Sequence, residues 1–222
     1  MDKRFWGIIL VICLIFVGII VFNKDNTPKN SVNPTNHVTG TDKNGVKLVE
    51  YGDFQCSACG KYYPTVHQVV EAYKDKIQFQ FRNLPLSQIH QNAFSAARAA
   101  EAADKQGKFW EMYDMLYQNQ SAWSESDNPK SSYEQYAKQL GLDIDKFNSD
   151  YASKTVNDLI NADLAAFDKT KAAKQTPTFF LNGKRVEPDA DVASFKKILD
   201  EALGSKASDS TSSDSSNDQS DI

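Results

Sequence analysis

The order of segments along the chain predicts an α/β fold with a block of helices inserted in it. Three observations carry that prediction. A strand-like run, a helical run and a second strand-like run follow one another between about residues 46 and 84. A long Ala-rich stretch then repeats apolar residues at helical spacing. Finally, two short apolar runs around Asn182-Gly183 precede an amphipathic segment. The tally is βαβ, a helical block, then ββα.

The chain has 222 residues, with 41% hydrophobic and 11% aromatic content, which suits one globular domain with appendages. Its formal net charge of −4 gives no electrostatic footprint for nucleic acid, so that partner is set aside.

Residues 1–4 read as a cytoplasmic stub. "FWGIILVICLIFVGIIVF", residues 5–22, carries no charge and is about as long as a bilayer-spanning helix needs to be. Lys3 and Arg4 precede it, and basic residues stay cytoplasmic, so everything after Phe22 is expected across the membrane. A cleaved signal peptide is the competing reading. The apolar run is long for one, and "VFNKDNT" offers no small-x-small cleavage site, so an uncleaved anchor is expected. Cys13, inside this run, reads as a small hydrophobe of a membrane helix.

Residues 23–45 are polar and rich in Asn, Thr, Pro and Gly, and read as a flexible tether with His37 a solvated residue in it. The domain proper is expected over 46–204. "VKLVEYGDF" is strand-like by its β-branched and aromatic content, and Tyr63, Val66, Val69, Val70 and Tyr73 fall at helical spacing after Cys56. "KIQFQFRNL" alternates Ile77, Phe79 and Phe81 with polar residues, a strand again.

The helical insertion is expected over about 86–172, broken at Gly107 and Gly141. In it Phe109, Trp110, Met112, Tyr113 and Leu116 repeat at spacings of three and four and read as packing core. "TPTFFLNGKRVEP" carries the hairpin signal Asn-Gly, and "DVASFKKILDEAL" places Val192, Phe195, Ile198, Leu199 and Leu203 on one side of a helix. Residues 205–222, with one Lys against four Asp among many Ser, read as a disordered tail.

The chemistry concentrates in "EYGDFQCSACGKYYP", residues 50–64. Two thiols at Cys-x-x-Cys spacing at a helix start can close a small ring, and the first has its sulfur over the free N–H groups of that helix. Cys56 is therefore expected as the low-pKa nucleophile, and Cys59, one turn inside, as the protonated resolving thiol. Three blander readings stand beside this one. A structural zinc site lacks its further ligands, since His67 and His90 are isolated and Cys13 lies in the apolar run. A purely structural disulfide gains little stability from so small a loop. Two inert core cysteines would tend to oxidise outside the cytoplasm. His90, in "LSQIHQN", reads as a surface or capping residue.

Taken together, "EYGDFQCSACGKYYP", "QTPTFFLNGKRV" and the helical block between them resemble the DsbA-like branch of the thioredoxin fold, over about Val46 to Leu203. The resemblance rests on Glu50 six positions before the first cysteine, Pro64 five positions after the second, the insertion with "QGKFWEMYDMLY", and Thr176-Pro177 before the last hairpin. It implies that Pro177 is a cis-proline facing the cysteine pair. It also implies that Thr176, with Ser57 and Ala58 of the central dipeptide, meets an extended substrate, and that Glu50 is a candidate proton shuttle for Cys59. Ser57-Ala58 is neither the Pro-His of strong oxidants nor the Gly-Pro of reducing thioredoxins.

The expected function is that of a membrane-anchored, extracytoplasmic thiol–disulfide oxidoreductase. It would form disulfides in exported polypeptides with free thiols and be recycled by a membrane redox partner, with no cofactor and no metal. Two alternatives stand: a reductase or isomerase of the same fold, and a non-enzymatic envelope-anchored binding module with a structural disulfide.

Overall fold

The computed structural model describes residues 32–213. Five strands form one sheet: β1 (His37–Gly40), β2 (Lys47–Gly52), β3 (Gln78–Asn83), β4 (Thr178–Leu181) and β5 (Lys184–Val186). Their order across the sheet is β1-β3-β2-β4-β5. β2 and β3 run parallel and the other neighbours antiparallel. A parallel pair needs a crossover, and helix α1 (Ser57–Tyr73) supplies it between them.

The period of two along each strand decides what each face carries. Leu48 of β2 and Phe79 and Phe81 of β3 enter the main core with Val66 and Val69 of α1. Phe81 lies against Phe54 and Tyr113. On the other face Tyr51 meets Phe167 and Phe180 edge-on. Glu50 falls in register between Phe81 and Phe179, so the alternation drives a carboxyl into the apolar layer beneath α1.

The insertion consists of α2 (Ala93–Asp104), α3 (Phe109–Gln118), α4 (Gln120–Trp123), α5 (Pro129–Gln139), α6 (Ile144–Ala152) and α7 (Lys154–Lys169). The many alanines of α2 are buried, and such small side chains let α3, α5, α6 and α7 close around it. Gly107 and Gly141 end helices at φ 72° and 71°, a left-handed conformation that glycine adopts without steric cost. A further break lies in the helical stretch after Gly141. Ser153 ends α6 in an extended conformation and caps α7, its Oγ accepting the Val156 N–H at 3.2 Å. The hairpin forms at Asn182-Gly183 with positive φ at both residues, 51° and 80°. The last helix, α8 (Val192–Ser213), buries Phe195 and Leu199 fully and begins under Asp191, whose Oδ1 accepts the Ser194 N–H at 2.8 Å.

Two readings of the sequence need correction. Residues 37–40 are not tether but an edge strand, paired with Gln78–Phe81 of β3. His37 is buried instead of solvated. Its ring stacks on Phe109 with centroids 3.5 Å apart, and its Nε2 lies 2.7 Å from Glu101 Oε1. Thr35 is buried as well, donating through N and Oγ1 to Asp163 at 2.8 and 2.6 Å. These partners stand 64 and 128 residues further along the chain, so the local polar composition gave no sign of them. The tail also begins later than residue 205, since α8 extends to Ser213.

The apolar run 5–22, the rest of residues 1–31, and residues 214–222 lie outside the described residues. Among the described residues no helix is long and apolar enough to cross a membrane.

Candidate active site

β2 delivers the chain to a tight loop, Asp53–Cys56, closed by the Cys56 N–H donating to the Asp53 carbonyl at 3.1 Å. Cys56 is the N-cap residue of α1 in an extended conformation, and Cys59 follows one turn into the helix. Both thiols are free and both are buried, Cys59 more completely, at 1% exposure against 8%.

Their acidities part in opposite directions. The Cys59 thiol first, then the Thr176 side chain and the backbone N–H groups of Cys59 and Ala58, favour the Cys56 thiolate. Together they overcome the cost of burial and bring the pKa from 9.0 down to about 5. Burial raises Cys59 well above 9.0, and the neighbouring Cys56 thiolate and Glu50 add to the rise. Ser57 is exposed, and the backbone donors to the thiolate are the two residues after it, Ala58 and Cys59.

Glu50 lies beneath this pair, wholly buried, with Oε2 lacking any hydrogen-bond partner. Desolvation, and secondarily the Cys56 charge, push its pKa from 4.5 up to about 8. Across from Cys56, the start of β4 brings in Thr176, whose carbonyl accepts the Cys56 Sγ–H at 3.4 Å. The Thr176–Pro177 peptide bond is cis. Thr176 Oγ1 is buried without a hydrogen-bond partner while Cys56 is a thiol, which leaves its hydroxyl available to the thiolate. Beside this turn a cavity of about 310 Å³ opens, lined by Tyr62, Gln175, Pro177, Phe179 and Arg185 among others. Six of the residues singled out in the sequence, Glu50, Cys56, Ala58, Cys59, Thr176 and Pro177, thus meet in one place.

The structure adds residues that sequence reasoning passed over. The Asp53 N–H points at Cys59 Sγ at 3.5 Å, and the Asp53 carboxylate, 1% exposed, holds two loops together. Its Oδ1 accepts the Gln55 N–H at 2.8 Å, and its Oδ2 accepts the Leu86 N–H at 2.9 Å and meets His90 Nδ1 at 2.7 Å. His90, read as a surface or capping residue, is one-fifth exposed and fixed to the loop that precedes the cysteines. The insertion braces the same loop. Gln120 Nε2 donates to the carbonyls of Phe54 and Cys56 at 2.7 and 3.0 Å, and Gln55 Oε1 accepts the Asn92 N–H at 2.6 Å. Asp53 and Gln55 stand inside the quoted motif, and their proximity to Cys56 was the available signal. For His90, Asn92 and Gln120, contacts over 37 to 66 residues left no local pattern to read.

Among the described residues no three His, Cys, Asp or Glu side chains gather as a metal-ion set. The arrangement can nevertheless do chemistry: a thiolate at a helix start, a buried protonated thiol one turn away, and a buried acid that still carries its proton at neutral pH. These are the parts of a thiol–disulfide exchange centre.

Comparison with known proteins agrees with this geometry. The thioredoxin family model matches residues 32–201. The probable disulfide bond formation protein D of Bacillus cereus is 34% identical over 212 residues, covering 89% of this chain and 95% of that protein. The Na(+)/H(+) antiporter NhaA 3 of Salinispora tropica is 39% identical over 149 residues, 67% of this chain but 22% of the antiporter. The chain thus spans about a fifth of that relative's length. Among solved structures, oxidised BdbD from Bacillus subtilis superposes with a TM-score of 0.67 at 22% identity, covering 78% of this chain and 97% of that one. Wolbachia pipientis alpha-DsbA1 gives 0.69 at 19% identity, covering 81% and 96%. The chain belongs to the thioredoxin family.

Proposed function

We propose that the chain is an extracytoplasmic thiol–disulfide oxidoreductase that forms disulfides in exported polypeptides through Cys56 and Cys59. One observation carries the reading most directly: two thiols one helical turn apart, the outer displaced to a pKa of about 5 and the inner displaced upward. A clasp or a packing pair needs no such division.

In the oxidising direction a substrate thiolate attacks Cys56 Sγ of the Cys56–Cys59 disulfide. A mixed disulfide forms, and Cys59 leaves with the electron pair of the broken bond and takes up the proton held by Glu50. A second substrate thiolate then attacks the substrate sulfur of the mixed disulfide and releases Cys56 as its stabilised thiolate. The substrate has lost two electrons and the enzyme pair has gained them. A membrane redox partner takes them back and restores the disulfide. The Thr176 carbonyl beside Cys56 and the cavity next to Pro177 suit an extended substrate segment, which backbone pairing can hold weakly. Ser57, exposed, and Ala58 stand at the rim of this contact.

The sequence supports the proposed location. Lys3 and Arg4 before the uncharged run 5–22 support an amino-terminal membrane anchor with the domain outside. The name of the Bacillus cereus relative supports disulfide formation over reduction.

The direct test is trapping in the native envelope. A Cys59→Ala chain is expected to accumulate mixed disulfides with exported proteins through Cys56, visible as non-reducing gel shifts that thiol reagents abolish. Trapping by Cys56→Ala instead would reverse the assignment, and trapping by neither would remove the activity.

A further inference from the structure

The sheet has a second face, and the redox site does not use it. Glu50 turns towards the cysteines, so Lys47, Val49 and Tyr51 of the same strand point the opposite way. On that side, between the strands and the end of α7, lies an open pocket of about 490 Å³. Val49, Tyr51 and Phe180 supply apolar wall, and Lys47, Arg82 and Lys169 supply charge.

The charge is unusual for this chain. Its net charge is −4, and Lys108, Lys130, Lys146 and Lys154, among others, each sit against a carboxylate. Among the described residues Lys47, Arg82 and Lys169 make no ion pair. Lys169 also occupies the last turn of α7, where a cation complements the carbonyl end of the helix, so its position has a second explanation. Lys47 has no such account, and Arg82 is held by the Tyr51 side chain and not by a carboxylate. They stand four rungs apart on neighbouring strands, and Arg82 lies over the Tyr51 ring at 5.9 Å. After burial, the Arg82 charge is the largest influence lowering the pKa of Lys47, ahead of the opposing effect of Asp42. Two cations that repel each other across a partly apolar hollow are stabilised when an anion enters between them.

We propose that this pocket binds an anionic amphiphile, a phosphate or carboxylate head carrying an apolar chain or ring. The head would lie between Lys47 and Arg82, where a guanidinium can hold two oxygens at once. The apolar part would cover Val49, Tyr51 and Phe180. The volume lies within the usual range for small-molecule sites, and a few polar groups on mostly apolar walls is their usual make-up. The same chemistry is offered by a soluble organic phosphate and by an anionic lipid headgroup.

The test uses the full chain in a neutral detergent and follows its thermal unfolding midpoint by intrinsic fluorescence. Phenyl phosphate is the soluble probe, and dihexanoyl phosphatidylglycerol, below its micelle concentration, is the lipid probe. A ligand that binds only the folded chain raises the midpoint with concentration. At least one probe is expected to do so, and the tighter one identifies the source. Inorganic phosphate and phenol, each lacking half of the required chemistry, are expected to bind about tenfold more weakly or worse. Arg82→Gln and Lys47→Gln are each expected to weaken the binding about tenfold, the size of one lost charged hydrogen bond. If Arg82→Gln lowers the midpoint of the free protein, Lys47→Gln at the rim carries the comparison. No rise with either probe, or an equal rise in both variants, overturns the proposal. Thiol exchange takes no part in the readout, so the result is independent of the function assigned to the cysteines.

Discussion

Cys56 lies where its anion is favoured, and Glu50, one loop away, lies where its anion is not. The pKa of about 5 makes Cys56 a thiolate at neutral pH, and the value of about 8 keeps most of Glu50 protonated there. Replacing Glu50 by Gln exchanges one neutral group for another below pH 8. The Cys56 titration near pH 5, read from the pH dependence of alkylation, is therefore expected to stay in place. Release of Cys59 from a mixed disulfide at neutral pH is expected to slow by roughly 10²-fold, the lower range of general acid catalysis. An unchanged single-turnover rate would remove Glu50 from the mechanism. The same shift has a stability side. The folded-state pKa of Cys56 lies below its ordinary 9.0, so it adds stability to the reduced protein above that value, and this is lost as the pH falls through about 5. Glu50 has the opposite sign: its contribution is present below about pH 4.5 and disappears as the pH rises through about 8.

β1 shows how an element without strong propensity is held by what it touches. His37 is the fastening. Burial alone would lower its pKa, but hydrogen bonds with Asp104 and Glu101 and the charges of both outweigh burial and raise it from 6.5 to about 9. A raised cation contributes stability that is complete below pH 6.5 and lost as the pH rises through about 9. His37→Leu is therefore expected to lower the urea unfolding free energy by about 1.5–3 kcal/mol at pH 6, the range of a hydrogen bond to a charged group. The difference from the unsubstituted chain is expected to shrink above pH 9. A difference that is independent of pH would mean that His37 only fills space against Phe109. The long α1, by contrast, was plain from its spacing. Its apolar residues Val66, Val69, Val70 and Tyr73 are all buried, and Pro64 is accommodated within it.

At the scale of the molecule, the redox direction follows from the balance of the two oxidation states. Whatever stabilises the Cys56 thiolate stabilises the reduced form and makes the disulfide a stronger oxidant. Here the stabilising groups are the Cys59 thiol, the Thr176 side chain and two backbone N–H groups, with no cationic residue in the central dipeptide. The reduction potential against glutathione is expected to be less oxidising than the roughly −120 mV of DsbA and clearly above the roughly −270 mV of thioredoxin. A potential at or below the thioredoxin value would make the chain an electron donor and favour the reductase reading.

By itself the sequence determined the α/β class, the βαβ and ββα halves, the breaks at Gly107 and Gly141, and the hairpin at Asn182-Gly183. Each of these is a local decision, made by side-chain period or by the φ that a glycine or asparagine tolerates. It also determined which two thiols stand at a helix start, because Cys-x-x-Cys spacing and the free N–H groups of a first turn are local as well. Only the tertiary structure decided that residues 37–40 join the sheet. The same holds for the depth of Glu50 beneath the cysteines, and for the way Asp53 and His90 tie the active-site loop to residues 86–90. Those outcomes depend on burial and on partners dozens of residues away. Desolvation, which moves Glu50 to about 8 and Cys59 well above 9.0, is a property of surroundings that no stretch of chain carries alone.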